Sequence, residues 1–251
     1  MALLGAGGRF VAFASLANNL VAGDTNGVRD VFVKDLQSGA VGCVSRSRSG
    51  EWGDGESVGT SISADGQFVV FTSFAGNLVG TDRNRCADVY WADRTTGELE
   101  LISAGPSGVS GDGPSGGGQV SDDGRWVTYY SYADDLTAGA LRTEARWYLL
   151  DRLTHTLRPV NELVGSMPVG LLVRYAAVSA DARWLTLAAG SPRGGSGPGQ
   201  MLVFDRVLGQ LRVVSSLRDG VFGDAPSFPG AGSANGRFLT FESGAANLRL
   251  S

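Results

Sequence analysis

Histidine, cysteine and lysine are almost absent from this chain: His155, Cys43 with Cys86, and Lys34 are all there are. One histidine rules out a His-rich metal centre, and two cysteines rule out a disulfide framework or a Cys-rich zinc site. Cys43 and Cys86 stand at non-equivalent places in the repeat described below, so two thiols are expected rather than a bridge. No apolar run approaches the roughly 18–20 residues of a membrane span. The net charge is −4, and no basic stripe interrupts the acidic background. That argues against a nucleic-acid partner and against attraction to anionic membranes. Residues Met1 to Arg9 have neither the basic start nor the apolar stretch of a secretory signal. On residues alone the expectation is therefore a cytoplasmic protein, or a chain whose leader lies upstream. Helical periodicity of useful length is also missing.

What the chain has is glycine, 38 of 251 residues, about twice ordinary usage, beside a 43% apolar content. Frequent glycine among aromatic and β-branched residues suggests many short strands joined by turns. A repeat organises them. Arg9, Gln67, Arg125 and Arg183 recur every 58 residues, and Arg237 follows after 54. Each precedes an aromatic residue: Phe10, Phe68, Trp126, Trp184, Phe238. A second large apolar residue comes three positions later: Phe13, Phe71, Tyr129, Leu187, Phe241. Turn signals precede these runs: Gly7-Gly8, Asp65-Gly66, Asp123-Gly124 and Asn235-Gly236, with Asp181-Ala182 the exception. Such pairs before apolar runs mark hairpins. Third strands follow at Val31–Val33, Val89–Trp91, Trp147–Leu149 and Met201–Val203, ending at Asp35, Asp93, Asp151 and Asp205. Fourth strands are expected near Val41–Ser45, Leu99–Ser103, Leu157–Val160 and Leu211–Ser215.

Four short strands per unit make one β-propeller blade, and stacking blades around an axis buries both faces of each sheet. The fold class is therefore all-β: four full four-stranded antiparallel blades and a two-stranded fifth. As one domain over 1–251, the blades fall at about 1–46, 59–104, 117–161, 174–216 and 230–251. An unpaired strand edge is a liability, so part of a longer propeller is expected in preference to a ring closed by a half blade.

The run Ser63-Ala64-Asp65-Gly66-Gln67-Phe68-Val69-Val70-Phe71-Thr72-Ser73 resembles the TolB-like, WD-repeat-like propeller family. So does Asn19 to Asp35, with its Gly23-Asp24-Thr25-Asn26-Gly27 turn and Asp30-Val31-Phe32-Val33-Lys34-Asp35 strand. The resemblance covers nearly the whole chain. It implies exported bacterial proteins, periplasmic or secreted, with six or more blades. These serve as binding scaffolds, or as the propeller of a peptidase or polysaccharide-acting enzyme.

Strand order places the first–second and third–fourth turns at one end of each blade, and the second–third and blade-to-blade loops at the other. The first set is tight and the second long, as in Gly50–Ser57, Gly108–Ser115 and Gly220–Ser227. Binding residues favour loops on a rigid scaffold, which makes Trp52, Asp54, Asp112, Phe222 and Asp224 candidate rim residues. The alternative is that these loops only connect blades. On the same rim Asp24, Asn26 and Asp30, and likewise Asp82, Asn84 and Asp88, are candidate calcium ligands by their closely spaced oxygens. Asx-turns before the third strand are the competing reading, and blade three has Ala140, Arg142 and Arg146 there.

The repeated Asp35, Asp93, Asp151 and Asp205 are expected to cap hairpins or pair with arginine. Gly113-Pro114-Ser115-Gly116-Gly117 and Gly111–Gly116 match nucleophile and dinucleotide strings without the strand–turn–helix context either needs. His155 falls in a tight third–fourth turn, far from triad geometry. The functional expectation is a non-enzymatic scaffold presenting its long-loop rim or axial channel to a protein, peptide or glycan, with no cofactor required and calcium a candidate. The alternative is the propeller portion of a polysaccharide-acting enzyme or peptidase, which a converging cluster of charged side chains in the channel would favour. A third reading is a purely structural fragment.

Overall fold

The computed structural model describes residues 2–138, 144–165, 171–190, 199–216, 221–233 and 238–248. Ala140, Arg142, Gly220 and the Asn235-Gly236-Arg237 turn signal lie outside the described residues. Blade one is β1 (Ala2–Leu4), β2 (Phe10–Ser15), β3 (Asp30–Asp35) and β4 (Val41–Cys43). Blade two is β5 (Ser57–Ile62), β6 (Phe68–Ser73), β7 (Asp88–Asp93) and β8 (Glu98–Leu101). Blade three is β9 (Ser115–Val120), β10 (Trp126–Ser131), β11 (Arg146–Asp151) and β12 (Thr156–Pro159). After α1 (Val160–Leu163), blade four is β13 (Leu172–Val178), β14 (Trp184–Gly190), β15 (Gln200–Asp205) and β16 (Gln210–Val213). Blade five is β17 (Ser227–Gly232) and β18 (Leu239–Ser243). Every sheet runs in sequence order with antiparallel neighbours. Among the described residues the sheets are the expected propeller blades, four of four strands and one of two.

Register repeats with the sequence. Phe13 lies opposite Phe32, Phe71 opposite Tyr90 and Tyr129 opposite Tyr148. Their rings stack at 5.8, 5.6 and 5.7 Å between centroids, a geometry favoured over face-to-face overlap. Each first strand lies across the preceding sheet: β5 on β1, β2 and β3, β9 on β5, β6 and β7, β13 on β9, β10 and β11, and β17 on β14 and β15. The core therefore sits between blades. Ala12, Val31 and Val33 pack with Val69, Phe71 and Tyr90, and Val70, Val89 and Trp91 pack with Val127, Tyr129 and Tyr148. β7, which has a blade on either side, is buried at all six positions.

The fourth strands stop one or two residues short of the expected ends, at Cys43, Leu101, Pro159 and Val213, and among the described residues only blade three follows its fourth strand with a helical turn. The fourth strand stops at Pro159 rather than Val160, and α1 turns the chain so that Val160 and Val164 drop into the core shared with blade four. Proline cannot donate to a ladder, and Asn161 Oδ1 takes the Val173 N–H at 3.2 Å, tying this connection to β13.

Candidate functional site

The tight-turn end is built from one module used repeatedly. Ser63 Oγ donates to Asp65 Oδ1 at 2.6 Å and accepts the Phe68 N–H at 2.9 Å. Ser121 with Asp123 and Trp126, and Ser179 with Asp181 and Trp184, do the same. The turn needs a left-handed residue. Gly66 and Gly124 supply it at φ 75° and 69°, and a Cβ on either would strike the Phe10 or Phe68 ring of the preceding blade at 2.3 and 2.6 Å. Ala182, the exception in sequence, takes the same conformation at φ 58°.

Beside each turn the aspartate ending the third strand is held by the residue that opens the second. Arg9 reaches Asp35 at 2.6 Å, Arg125 reaches Asp151 at 2.6 Å and Arg183 reaches Asp205 at 2.7 Å. Gln67 meets Asp93 at 3.2 Å in blade two. The same carboxylates accept the backbone N–H groups of Gln37, Thr95, Leu153 and Val207 in the following turn. The arginine hydrogen bonds hold Asp35, Asp151 and Asp205 below the usual carboxylate range. These are hairpin caps with arginine partners, as the sequence suggests. His155 is exposed in such a turn at φ 50°, and Cys43 and Cys86 are not joined in a disulfide.

The long-loop rim is also held by a repeated device. Asp54 Oδ1 accepts the Gly76 N–H at 2.8 Å, while Asn77 Oδ1 accepts the Asp54 N–H at 3.0 Å and Asn77 Nδ2 donates to the Trp52 carbonyl at 2.9 Å. Asp112 and Asp135 repeat the reciprocal pair with the N–H groups of Asp134 and Asp112. Asp224 and Asn247 repeat it with Ala246, Asp224 and the Phe222 carbonyl. The blade-to-blade loops that follow blades one, two and four are thus clamped onto the second–third loop of the next blade. Gly53, Gly111 and Gly223 permit the approach, since a Cβ there would meet Ala75, Ala133 or Ala245 at 3.1, 2.8 and 3.1 Å. Of the sequence-derived rim residues, Asp54, Asp112 and Asp224 are therefore clamp residues. Trp52 lies under the Arg46 guanidinium at 4.4 Å from its ring centroid, and Phe222 is exposed.

The second–third loop carboxylates have a structural task in the same region. Asp30 accepts Ser45 Oγ at 2.6 Å and Asn26 Nδ2 at 2.8 Å, and Asn26 Nδ2 also reaches the Gly53 carbonyl at 3.1 Å. In blade two Asp88 accepts Ser103 Oγ at 2.5 Å, Asn84 Nδ2 donates to the Gly111 carbonyl at 2.7 Å, and Asp82 Oδ2 accepts the Tyr90 hydroxyl at 2.6 Å. Blade four replaces the Asp–Asn pair by one residue. Gln200 accepts Ser215 Oγ at 2.6 Å and donates to the Gly223 carbonyl at 3.1 Å. Asp24 is buried near this set. Asp82 Oδ1 and Asp88 Oδ2 are both buried without a hydrogen-bond partner. Burial, with the nearby Asp82 charge adding to it, pushes the Asp88 carboxyl up to about 7. Among the described residues no group of three or more His, Cys, Asp and Glu side chains gathers as a metal site.

Along the axis, beside the tight-turn end, lies a cavity of about 410 Å³. The first strands supply Leu3, Ser61, Gln119 and Tyr175, with Ile62, Ala177 and Gly230 between them. Asp122 is its one carboxylate among the described lining residues, and its Oδ1 accepts the Ala64 N–H at 2.8 Å.

Sequence reasoning missed one feature of the rim. The residue after the serine that ends the second strand is Leu16, Phe74 or Tyr132 in blades one to three, with Leu16 58% and Phe74 57% exposed and Tyr132 half-buried. Gly244 holds the same position in blade five, so the repeat does not need a large side chain there. The signal was available: a repeat position where the architecture asks for nothing, filled three times by a bulky apolar residue.

Neither a family model nor a curated protein matches the chain. Solved structures do. TolB from Acinetobacter baumannii superimposes with a TM-score of 0.53 at 15% identity, over 96% of this chain and 53% of that one. A putative TolB from Agrobacterium tumefaciens gives 0.56 at 14% identity, over 96% of this chain and 72% of that one. Dipeptidyl peptidase 4 from Porphyromonas gingivalis gives 0.51 at 11% identity, over 85% of this chain and 32% of that one. The chain thus spans about half of the first TolB and about a third of the peptidase. At these identities the likeness shows the fold, a TolB-like β-propeller.

Proposed function

We propose that this propeller is a binding scaffold whose long-loop rim receives a partner, a protein or peptide in preference to a glycan, on the apolar side chains Leu16, Phe74, Tyr132, Trp52 and Phe222. The observation that carries this reading is bulky apolar residues at a rim position the repeat leaves free, Phe74 and Tyr132 among them on loops locked by the Asp54 and Asp112 clamps, with Phe222 on the loop that Asp224 clamps. Large, stiff aromatic side chains on a pre-organised surface bind with little loss of conformational freedom. Leu16 and Phe222 add aliphatic and aromatic contact that suits a polypeptide's mixed side chains. The axial cavity supports the same reading over the enzyme-portion alternative. Its lining is mainly apolar, hydroxyl and amide, and its carboxylate Asp122 is engaged by a backbone N–H, whereas acid–base work asks for two poised groups.

Selection of a phage-displayed random peptide library on the wild-type protein tests it. Selected peptides are expected to lose binding to the Leu16→Ser/Phe74→Ser/Tyr132→Ser variant and to keep binding to Gln119→Lys in the axial cavity. The reverse pattern would move the site to the axis.

For the second–third loop carboxylates we propose a hydrogen-bonding role, supported by the neutral Gln200 that performs it in blade four. A calcium ion between Asp82 and Asp88 is the alternative, drawn from their two partnerless oxygens. Calorimetric titration of calcium into chelator-treated protein separates the two: the hydrogen-bonding role predicts no saturable heat, and a saturable heat lost in Asp88→Asn would establish the ion.

A further inference from the structure

We propose that the cleft between the outer strands of blades two and three binds an uncharged, apolar small molecule that carries one hydrogen-bonding group. On one side run β8 and the blade-to-blade loop that follows it; on the other stand Leu150, His155 and Leu157 of blade three. Residues 79–81 and 136–138, from the second–third loops of blades two and three, line its rim end. The cleft holds about 900 Å³, a volume in the range of pockets that take small ligands. Leu16, Phe74 and Tyr132 do not line it, so it is separate from the apolar positions of the rim.

The repeat contains its own control. The matching cleft between blades one and two holds only about 340 Å³. The 58-residue period sets Arg46 and Arg48, which line that cleft, against Ala104 and Pro106 in the wider one. Both arginines are fixed in place. Arg46 lies over the Trp52 ring and donates to the Gly50 carbonyl, and Arg48 reaches Glu98 of blade two at 3.5 Å. The wider cleft has a methyl group in place of Arg46 and a pyrrolidine ring in place of Arg48, and neither can span it. The opening is a property of these two blades, and blade architecture does not require it.

Charge and one hydroxyl specify the occupant. Among the described lining residues the ionisable ones are Glu100 and His155. Glu100 is bound by Arg152, whose guanidinium also lies over the Trp91 ring, and His155 is exposed in its turn. Leucine, isoleucine, valine, alanine and glycine make up most of the rest. An ion entering there would give up its hydration for little in return, so the occupant is uncharged. Thr137 adds the polar contact. Blades one and two have Val21 and Val79 at its position, yet Thr137 Oγ1 is buried without a hydrogen-bond partner. Valine has nearly the same shape and would pack there without leaving a hydroxyl unpaired. One staggered step about χ1 exchanges the hydroxyl and the methyl, which lets Thr137 bond a carbonyl or hydroxyl of a bound molecule. Residues line the cleft at both ends, from the rim loops to the turn that carries His155, which suits a compact molecule over a chain that must enter and leave.

The probe is prodan, an uncharged naphthalene ketone whose emission strengthens and shifts to the blue in apolar surroundings. Titration with the intact protein is expected to give saturable binding. Ala104→Arg/Pro106→Arg, which copies the narrower cleft, is expected to weaken it at least about ten-fold, with the melting temperature by circular dichroism unchanged. Thr137→Val, which copies blades one and two, is expected to weaken it about five-fold. The rim variant Leu16→Ser/Phe74→Ser/Tyr132→Ser is expected to bind prodan like the wild type, so the fate of the rim reading is decided separately. If the double arginine variant unfolds, hydrogen exchange of the wild type with and without prodan decides the matter: protection is expected at 99–108 and 155–157. No saturable binding, full binding by the double arginine variant, or protection confined to the rim segments 16–20 and 74–78 would overturn the proposal.

Discussion

The two ends of the blade stack are built by the same rule and filled differently. At the tight-turn end, the serine–aspartate turns, the left-handed residue and the Arg–Asp pairs recur with few changes, Ala182 for glycine and Gln67 for arginine. At the long-loop end the clamps recur as faithfully, yet the residues carried on them do not: Leu16, Phe74, Tyr132 and Gly244 share one position, and Trp52, Ser110 and Phe222 another. Both ends expose apolar side chains. At the tight end Leu36, Leu153, Val207 and Leu208 sit on outer turns and Phe238 opens the second strand of blade five, while the rim carries Leu16 and Val221 together with the aromatic rings of Phe74 and Phe222 on clamped loops. What repeats in this molecule is architecture, and what varies on an unvarying frame is where recognition is to be sought.

The largest expected effect contrasts one glycine from each end. Gly66→Leu places a side chain into the Phe10 ring at a left-handed position and should cost about 3 kcal/mol in urea unfolding. Gly76→Leu, where a Cβ meets nothing within 4 Å, should leave stability near wild type. Similar costs at both positions would erase the distinction between the ends.

Next comes Asp88. Its carboxyl, raised to about 7 chiefly by burial, titrates lower in the unfolded chain. The protonated form is therefore favoured by folding, and its stabilisation is complete below about pH 4 and is lost as pH rises through 7. Asp88→Asn, the local equivalent of Gln200, should flatten that fall and raise stability at pH 8 by about 1–3 kcal/mol. Thermal melts across this range check it, and a variant that parallels the wild type would return Asp88 to an ordinary carboxylate.

Removing a clamp should cost less. Asp112→Ala frees the Asp134 N–H and is expected to lower stability by about 1 kcal/mol, with faster hydrogen exchange at 132–136 before any other segment. The smallest effect is at the other end. Arg125→Gln copies Gln67 of blade two and exchanges a partly exposed ion pair for a hydrogen bond. It should change stability little at neutral pH, since an exposed ion pair is largely screened by solvent. Asp151 loses the partner that lowers its carboxyl, so the wild type's advantage should be greatest at neutral pH and vanish as acid protonates Asp151.

The strands and both sets of turns were legible because a 58-residue period superimposes five weak patterns into one strong one. Asp65-Gly66 alone is a turn signal; aligned with Asp123-Gly124 before Phe68 and Trp126 it becomes a blade. The tasks of Asp35 and its counterparts were legible for the same reason. The clamps were not, because Asp54 and Asn77 lie 23 residues apart on different loops and only the stacked blades bring them together. Nor was the equivalence of Gln200 with Asp30 and Asn26, since one long amide spans a distance that two shorter side chains otherwise share. The helical turn after Pro159 has no counterpart in the other blades, and a single irregular connection leaves no repeat to read.

The most direct test of the rim assignment sets one exposed apolar position at each end against the other. p-Benzoylphenylalanine replaces Phe74 on the rim or Leu153 on the outer tight turn, and each protein is irradiated with the same library-selected peptide. The account predicts a covalent adduct from position 74 and none from position 153; cross-linking at 153 with none at 74 would contradict it.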